Sequence, residues 1–232
     1  MTTGFEYIVK RQRRKTIALH ILDDAQIEVR APKWVCNADL VAFVEQNAQW
    51  INRRRQEQLL VIAARPTYAD GERHTFLGRG LDLRLRPSGK ARVFTEGESL
   101  VVCCNKPLPE FDVRNAVEKW YRREALEFYK QRLPLLLAGF PLDQLPAYPS
   151  PTVKCRKMRK RWGSCSQHGR ITLNTQLIKL PESCVDYVIV HELCHLWFLN
   201  HGQQFYRLLA SVMPDWRERE VVIKQLENTL PI

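Results

Sequence analysis

The sequence predicts an α+β protein in two parts. Residues 1–105 read as an N-terminal β-rich domain with a helix. Residues 106–232 read as a domain with a small sheet and a helix carrying His-Glu-x-x-His. Three observations lead there: hydrophobic alternation with period two in the first hundred residues, a switch to helical spacing after Pro107-Leu108-Pro109, and the run Asp186–Gly202.

In the first part, Ile17, Leu19 and Ile21 share one face of a strand. Asp23-Asp24 offers a turn, and Ile27 and Val29 restart the alternation as a hairpin. From Asn37, read as an N-cap, Leu40, Phe43, Val44, Ile51 and Leu59 recur at helical spacing until Pro66, with Arg53, Arg54 and Arg55 on the solvated face. Between 73 and 104, Leu81, Leu83 and Leu85 alternate with Asp82, Arg84 and Arg86. Val93, Gly97 and Leu100–Val102 then complete a short antiparallel meander.

In the second part, Val113, Val117, Trp120, Tyr121, Phe128 and Leu133 mark a long helix that Pro134 should bend or end. Leu145–Pro151 is Pro-rich and reads as a connector.

Composition bounds the function. The 232 residues carry 36 Lys+Arg against 25 Asp+Glu, a net charge of +11, which keeps nucleic acid and anionic substrates open as partners. Hydrophobic residues at 45% support a packed core and exclude wholesale disorder. No apolar run approaches the ~20 residues of a membrane span, so no membrane association is expected. Near the N-terminus charge follows apolar residues, the reverse of a secretory signal, so a cytoplasmic location is expected. Seven cysteines, with no C-x-x-C pair, read as reduced thiols.

The chemistry concentrates in two segments. His191 and His195, four apart on a helix, project from one face and can reach one metal ion. Glu192 can then address the bound water as catalytic acid/base. Asn200, a residue that tolerates the left-handed conformation, should end that helix and let His201 swing back as third ligand. Three imidazoles suit Zn²⁺ and leave its fourth position for water. The bare string arises by chance in on the order of one per cent of chains this size; the apolar helical context and the further His raise its weight. His20, His74 and His168 stand alone in sequence and are not offered as ligands.

The second segment, 154–161, holds six basic residues in eight positions, ahead of Trp162-Gly163 and a hairpin-type turn at His168-Gly169. It reads either as a solvated basic strand or as a positive edge beside the metal. The neighbouring motif favours the edge, with Arg161 first and Lys160 beside it as substrate-binding residues.

The strings KMRKRWGSCS, GRITLN, DYVIVHELCHL, NHGQQFY and MPDW resemble the YgjP-like metal-dependent hydrolases, a family labelled metallopeptidases and related to SprT-like zincins. The weaker strings at 13–19, 29–32 and 120–122 also fit. The resemblance implies a zincin-like second domain, His191, His195 and His201 as zinc ligands, and Glu192 as acid/base. The family's usual NHSxxFW is NHGQQFY here, with departures at Gly202 and Tyr206.

Zinc-dependent peptide hydrolysis is the preferred activity, with a peptide strand pairing near GRITLN. A nucleoside triphosphate pyrophosphatase and a nucleic-acid-associated SprT-like protease are the alternatives. The pyrophosphatase lacks a G-x-x-x-x-G-K-[ST] loop in its support. Substrate identity and oligomeric state are open at this point.

Overall fold

The computed structural model describes residues 4–63, 66–87, 92–104, 109–141 and 150–227. The chain falls into two compact units, 1–66 and 67–232. The division comes forty residues before the change of character at 106, whose neighbours 105–108 lie outside the described residues. Most of the Pro-rich connector, 142–149, does too.

Unit one has strands β1 (Tyr7–Gln12), β2 (Ala18–Ile21) and β3 (Ile27–Pro32) in the order β1-β3-β2. The predicted hairpin is β2–β3, antiparallel, closed at Ala25 with φ 64°. Strand β1 adds a parallel partner to β3. Ile27, Val29 and Ala31 pack with Leu40, Val44 and Ile51 as this unit's core. The single predicted helix is two, α1 (Asn37–Gln46) and α2 (Ala48–Ala63). Its N-cap is Cys36, whose Sγ accepts from Asp39 N at 3.4 Å, so Asn37 is already helical. The break falls at Asn47, where the side-chain amide donates to Phe43 O at 2.8 Å and competes with the helix's own ladder.

Unit two opens with a four-stranded sheet: β4 (Arg73–Phe76), β5 (Arg79–Pro87), β6 (Arg92–Glu96) and β7 (Ser99–Cys104), in the order β4-β5-β7-β6. The alternation is as expected, but β5 and β7 run parallel, so the sheet is mixed and not a meander. The long helix α3 (Glu110–Leu137) buries Val113, Val117, Trp120, Tyr121, Ala125, Tyr129 and Leu133 and continues three residues past Pro134. A second sheet, ordered β8-β10-β9, comprises β8 (Thr152–Arg156), β9 (Gly163–Cys165) and β10 (Arg170–Asn174). The His168-Gly169 turn joins β9 to β10 as expected, with Gly169 at φ 71°. A 3₁₀ turn (Thr175–Lys179) leads into α4 (Glu182–Cys194), and α5 (Gln203–Val212) and α6 (Trp216–Glu227) follow. Among the described residues, six α-helices and small sheets make this the mixed α+β class that the sequence predicts. All seven cysteines are free thiols, five of them buried.

The helix α4 is held from two sides. On one, the β4–β5 turn donates Leu77 N to Ile178 O (2.8 Å) and Gly78 N to Lys179 O (3.2 Å). Gly78 has φ +76°, and a Cβ there would stand 3.1 Å from Pro181, so both backbone conformation and space call for glycine. On the other, Arg132 of α3 forks onto Asp186, with Nε to Oδ1 at 2.9 Å, and reaches Glu182 at 3.3 Å. Asp186 is 7% exposed, so its charge is compensated by this guanidinium and not by water.

Asp186→Ala leaves Arg132 with only the exposed Glu182. The expected cost is about 1–3 kcal/mol, because the pair is partly solvated. Thermal denaturation reads this at roughly 2–4 °C per kcal/mol, and an unchanged melting temperature would contradict the anchoring role.

Candidate metal centre and active-site cavity

Ten of the residues of α4 are buried, among them Val185, Ile189, Val190 and Leu193 in the core of unit two. With its apolar faces so engaged, the last turn turns His191 and Glu192 to one cavity. The regular helix stops at Cys194, and His195 is its C-cap in right-handed conformation (φ −68°, ψ −10°). A further turn follows, with Leu196 N bonded to Leu193 O and Trp197 N to Cys194 O. Asn200 therefore does not end the helix, and its φ is not positive: among the described residues only Ala25, Tyr68 and Leu77 are non-glycine exceptions. His201 returns by another device, a tight turn closed by Gly202 N to Asn200 O at 2.8 Å.

The ligand-capable atoms of His191, His195 and His201 lie within 4.8 Å of one another. Among the described residues this is the one His/Cys/Asp/Glu group with such convergence. Nε2 of His201 approaches Nε2 of His191 to 3.0 Å. His195 donates Nδ1–H to Phe198 O at 3.0 Å, which leaves its Nε2 as the free lone pair. Burial, then the neighbouring His195 and His201, pushes His191 down to about 4; burial also lowers His195, against the pull of the Phe198 carbonyl. Imidazoles held neutral at pH 7 are the form that binds a metal ion. The donor set therefore fits one ion.

The cavity beside the histidines has a volume of about 480 Å³. One wall is Arg161 through Cys165; α4 gives Tyr187, Val188, His191, Glu192 and His195; Glu220, Ile223 and Lys224 come from α6. Arg161 thus meets Glu192 and the histidines at one site. Lys160, expected beside it, is exposed and does not line the cavity. Asp186, a conceivable partner for Arg161, is engaged by Arg132 instead.

Glu192 is 6% exposed, and burial raises its carboxyl to about 7, opposed by the Arg161 charge. It fits because β9 passes over it at Gly163: a Cβ there would stand 2.6 Å from Oε1 and 2.7 Å from Cγ. Such distances do not occur between real side chains, so a bare backbone is required.

Three residues escaped the sequence reading. Gly163 is one, although it stood inside the quoted RWGSC. Asn174 is fully buried and its amide donates to Met158 O (2.9 Å) and Arg161 O (3.1 Å), while its Oδ1 accepts from Met158 N (3.3 Å) and Gln176 N (3.2 Å). It shapes the loop that carries Arg161; an Asn closing an alternating strand was the available signal. Phe205 of α5 is fully buried with its ring centroid 4.7–5.0 Å from those of all three histidines. Its place four residues after His201, on the first turn of the next helix, was the hint. Of the two departures, Gly202 is the N-cap of α5 without a side-chain bond, and Tyr206 stacks on Trp216 at 5.3 Å.

A family model described as YgjP-like, metallopeptidase domain, matches residues 15–226. The chain belongs to the YgjP-like family. Among solved structures, the metallopeptidase zymogen abylysin of Pyrococcus abyssi is similar to 42% of this chain over 94% of its own length, at 23% identity and TM-score 0.36. The zymogen jannalysin of Methanocaldococcus jannaschii is similar to 41% of this chain over 93% of its own, at 24% identity and TM-score 0.35. No curated protein matches the chain. For this YgjP-like chain, among the described residues, no helix is long and apolar enough to cross a membrane.

Gly163→Ala should displace Glu192 or lift β9, and a displacement of about 1 Å costs on the order of 10²-fold in activity. Gly202→Ser adds its Cβ where nothing lies within 4 Å, and supplies a preferred N-cap oxygen, so it should keep activity and stability. Peptide-hydrolysis rates for both variants check the contrast; a fully active Gly163→Ala would refute the close-approach requirement.

Proposed function

We propose that this protein is a zinc metallopeptidase of zincin-like architecture in which His191, His195 and His201 hold the metal and Glu192 is the general base and acid. The observation that carries the reading is the joint convergence of three imidazoles and one buried carboxyl on a single open cavity. When bound, zinc supplies Lewis acidity, polarising the scissile carbonyl and bringing the pKa of water to roughly 7.

The chain's own residues supply the rest. Glu192 Oε takes the proton of the attacking water and returns it to the leaving amine. Its position between water-level and amine-level basicity rests on burial, and Gly163 lets the strand seal it from bulk solvent. Arg161, exposed on the cavity wall, is placed to attract an anionic substrate group or a developing oxyanion.

A substrate strand needs a free sheet edge. Strand β10, which contains the GRITLN segment, is paired on both sides, with β8 and β9. The free edge at the cavity is β9, Gly163–Cys165, the strand beside that segment, and extended peptide is proposed to add there.

Glu192→Gln preserves size but cannot accept the proton. Zinc content by elemental analysis should stay at the wild-type level while peptide turnover falls by roughly 10²–10⁴-fold. Near-wild-type turnover in the zinc-loaded variant would remove Glu192 from the chemistry.

A further inference from the structure

A second concavity, of about 290 Å³, lies between α3, the end of β8 and the 3₁₀ turn, and shares no lining residue with the active-site cavity. The basic run 154–161 divides between the two. Arg161 lines the first, whereas Arg156 and Lys157 line the second. From α3 come Lys119 and Arg122, three apart and so on one face, and from the 3₁₀ turn comes Lys179.

The wall therefore presents five cations against one carboxylate, Glu118. That carboxylate is already engaged, by Lys157 at 3.7 Å and by Arg114 at 3.3 Å. Among the described residues, Lys119, Arg122, Arg156 and Lys179 have no ion-pair partner. A solvated basic face would extend its lysines into water. Lys179 instead lies with Nζ 4.9 Å from the Tyr121 ring centroid, and burial, then Lys157, pulls its ammonium down to about 8 against the weaker pull of Glu118 and of Glu72 outside the wall. Crowded, partly dried cations of this kind are stabilised by a counter-anion.

We propose that this concavity is a binding site for the phosphoryl group of a small, multiply charged anion, separate from the metal centre. The surplus of charge decides the class: a single carboxylate would leave several cations uncompensated, whereas a diphosphate or phosphate monoester brings two or more charges and several acceptor oxygens. Arg122 and Arg156 offer planar forks suited to those oxygens, and the amides of Asn115 and Gln176, also on the wall, add neutral donors. The volume suits a head group better than a polymer. The site is independent of which bond the metal centre cleaves.

Isothermal titration of the full chain with pyrophosphate, at constant ionic strength, tests this, with acetate and a DNA duplex as comparators. One saturable site for pyrophosphate is expected, with acetate at least tenfold weaker. Arg122 and Arg156 are both exposed, so the double variant Arg122→Gln/Arg156→Gln should fold, with an unchanged circular-dichroism spectrum. Its pyrophosphate affinity should fall at least about tenfold, and Arg161→Gln should stay within about twofold of wild type. Three results would overturn the proposal: no saturable pyrophosphate binding; affinity lost in Arg161→Gln but kept in the double variant, which would place the anion at the metal centre; or DNA binding of equal strength that falls alike in both variants, which would mark a general polyanion surface.

Discussion

Burial of α4 governs what surrounds it. A helix whose flanks are packed in the core can present its few polar groups only where another element accepts them. Asp186, toward α3, finds the Arg132 guanidinium. Glu192, toward β9, has no such fork among the described residues: burial raises its carboxyl to about 7, opposed by the Arg161 charge. The same helix thus carries one carboxylate engaged by a guanidinium and another whose charge burial disfavours. Their difference lies in what was placed opposite each.

The histidines obey the same logic. Burial disfavours the protonated forms of His191 and His195, Phe205 packs against all three rings, and the Phe198 carbonyl orients one of them. None of these contacts is made by the ligand atoms, yet each restricts where those atoms can be. A metal ion arriving at such a group would meet nitrogens already gathered, so little ordering cost would be left to be met on binding.

Much of this was legible in the sequence because it is local. Alternation placed β2, β3 and β5, helical spacing placed α3, and the spacing of His191, Glu192 and His195 placed the centre. What escaped was long-range. Parallel pairings, β1 with β3 and β5 with β7, leave no mark on periodicity. The switch from alternation to helical spacing falls between β7 and α3 inside one unit, where α3 packs back on that sheet: Tyr121 OH donates to Thr75 O at 2.8 Å, and Trp120 meets Phe76 at 5.1 Å. Gly163 and Asn174 matter through neighbours 29 and 13–16 residues away, which no local pattern records. The basic run looked like one feature, yet the buried tether of its loop to Asn174 separates its two ends onto different cavities.

The central claim is that three imidazoles hold one zinc ion. Elemental analysis of the purified wild-type protein and of His191→Ala, His195→Ala and His201→Ala, each after dialysis against a mild chelator, tests it most directly. The account predicts about one zinc per chain in wild type and loss of most of it in each variant, since two imidazoles hold zinc far less tightly than three. Stoichiometric zinc retained in all three variants would contradict it.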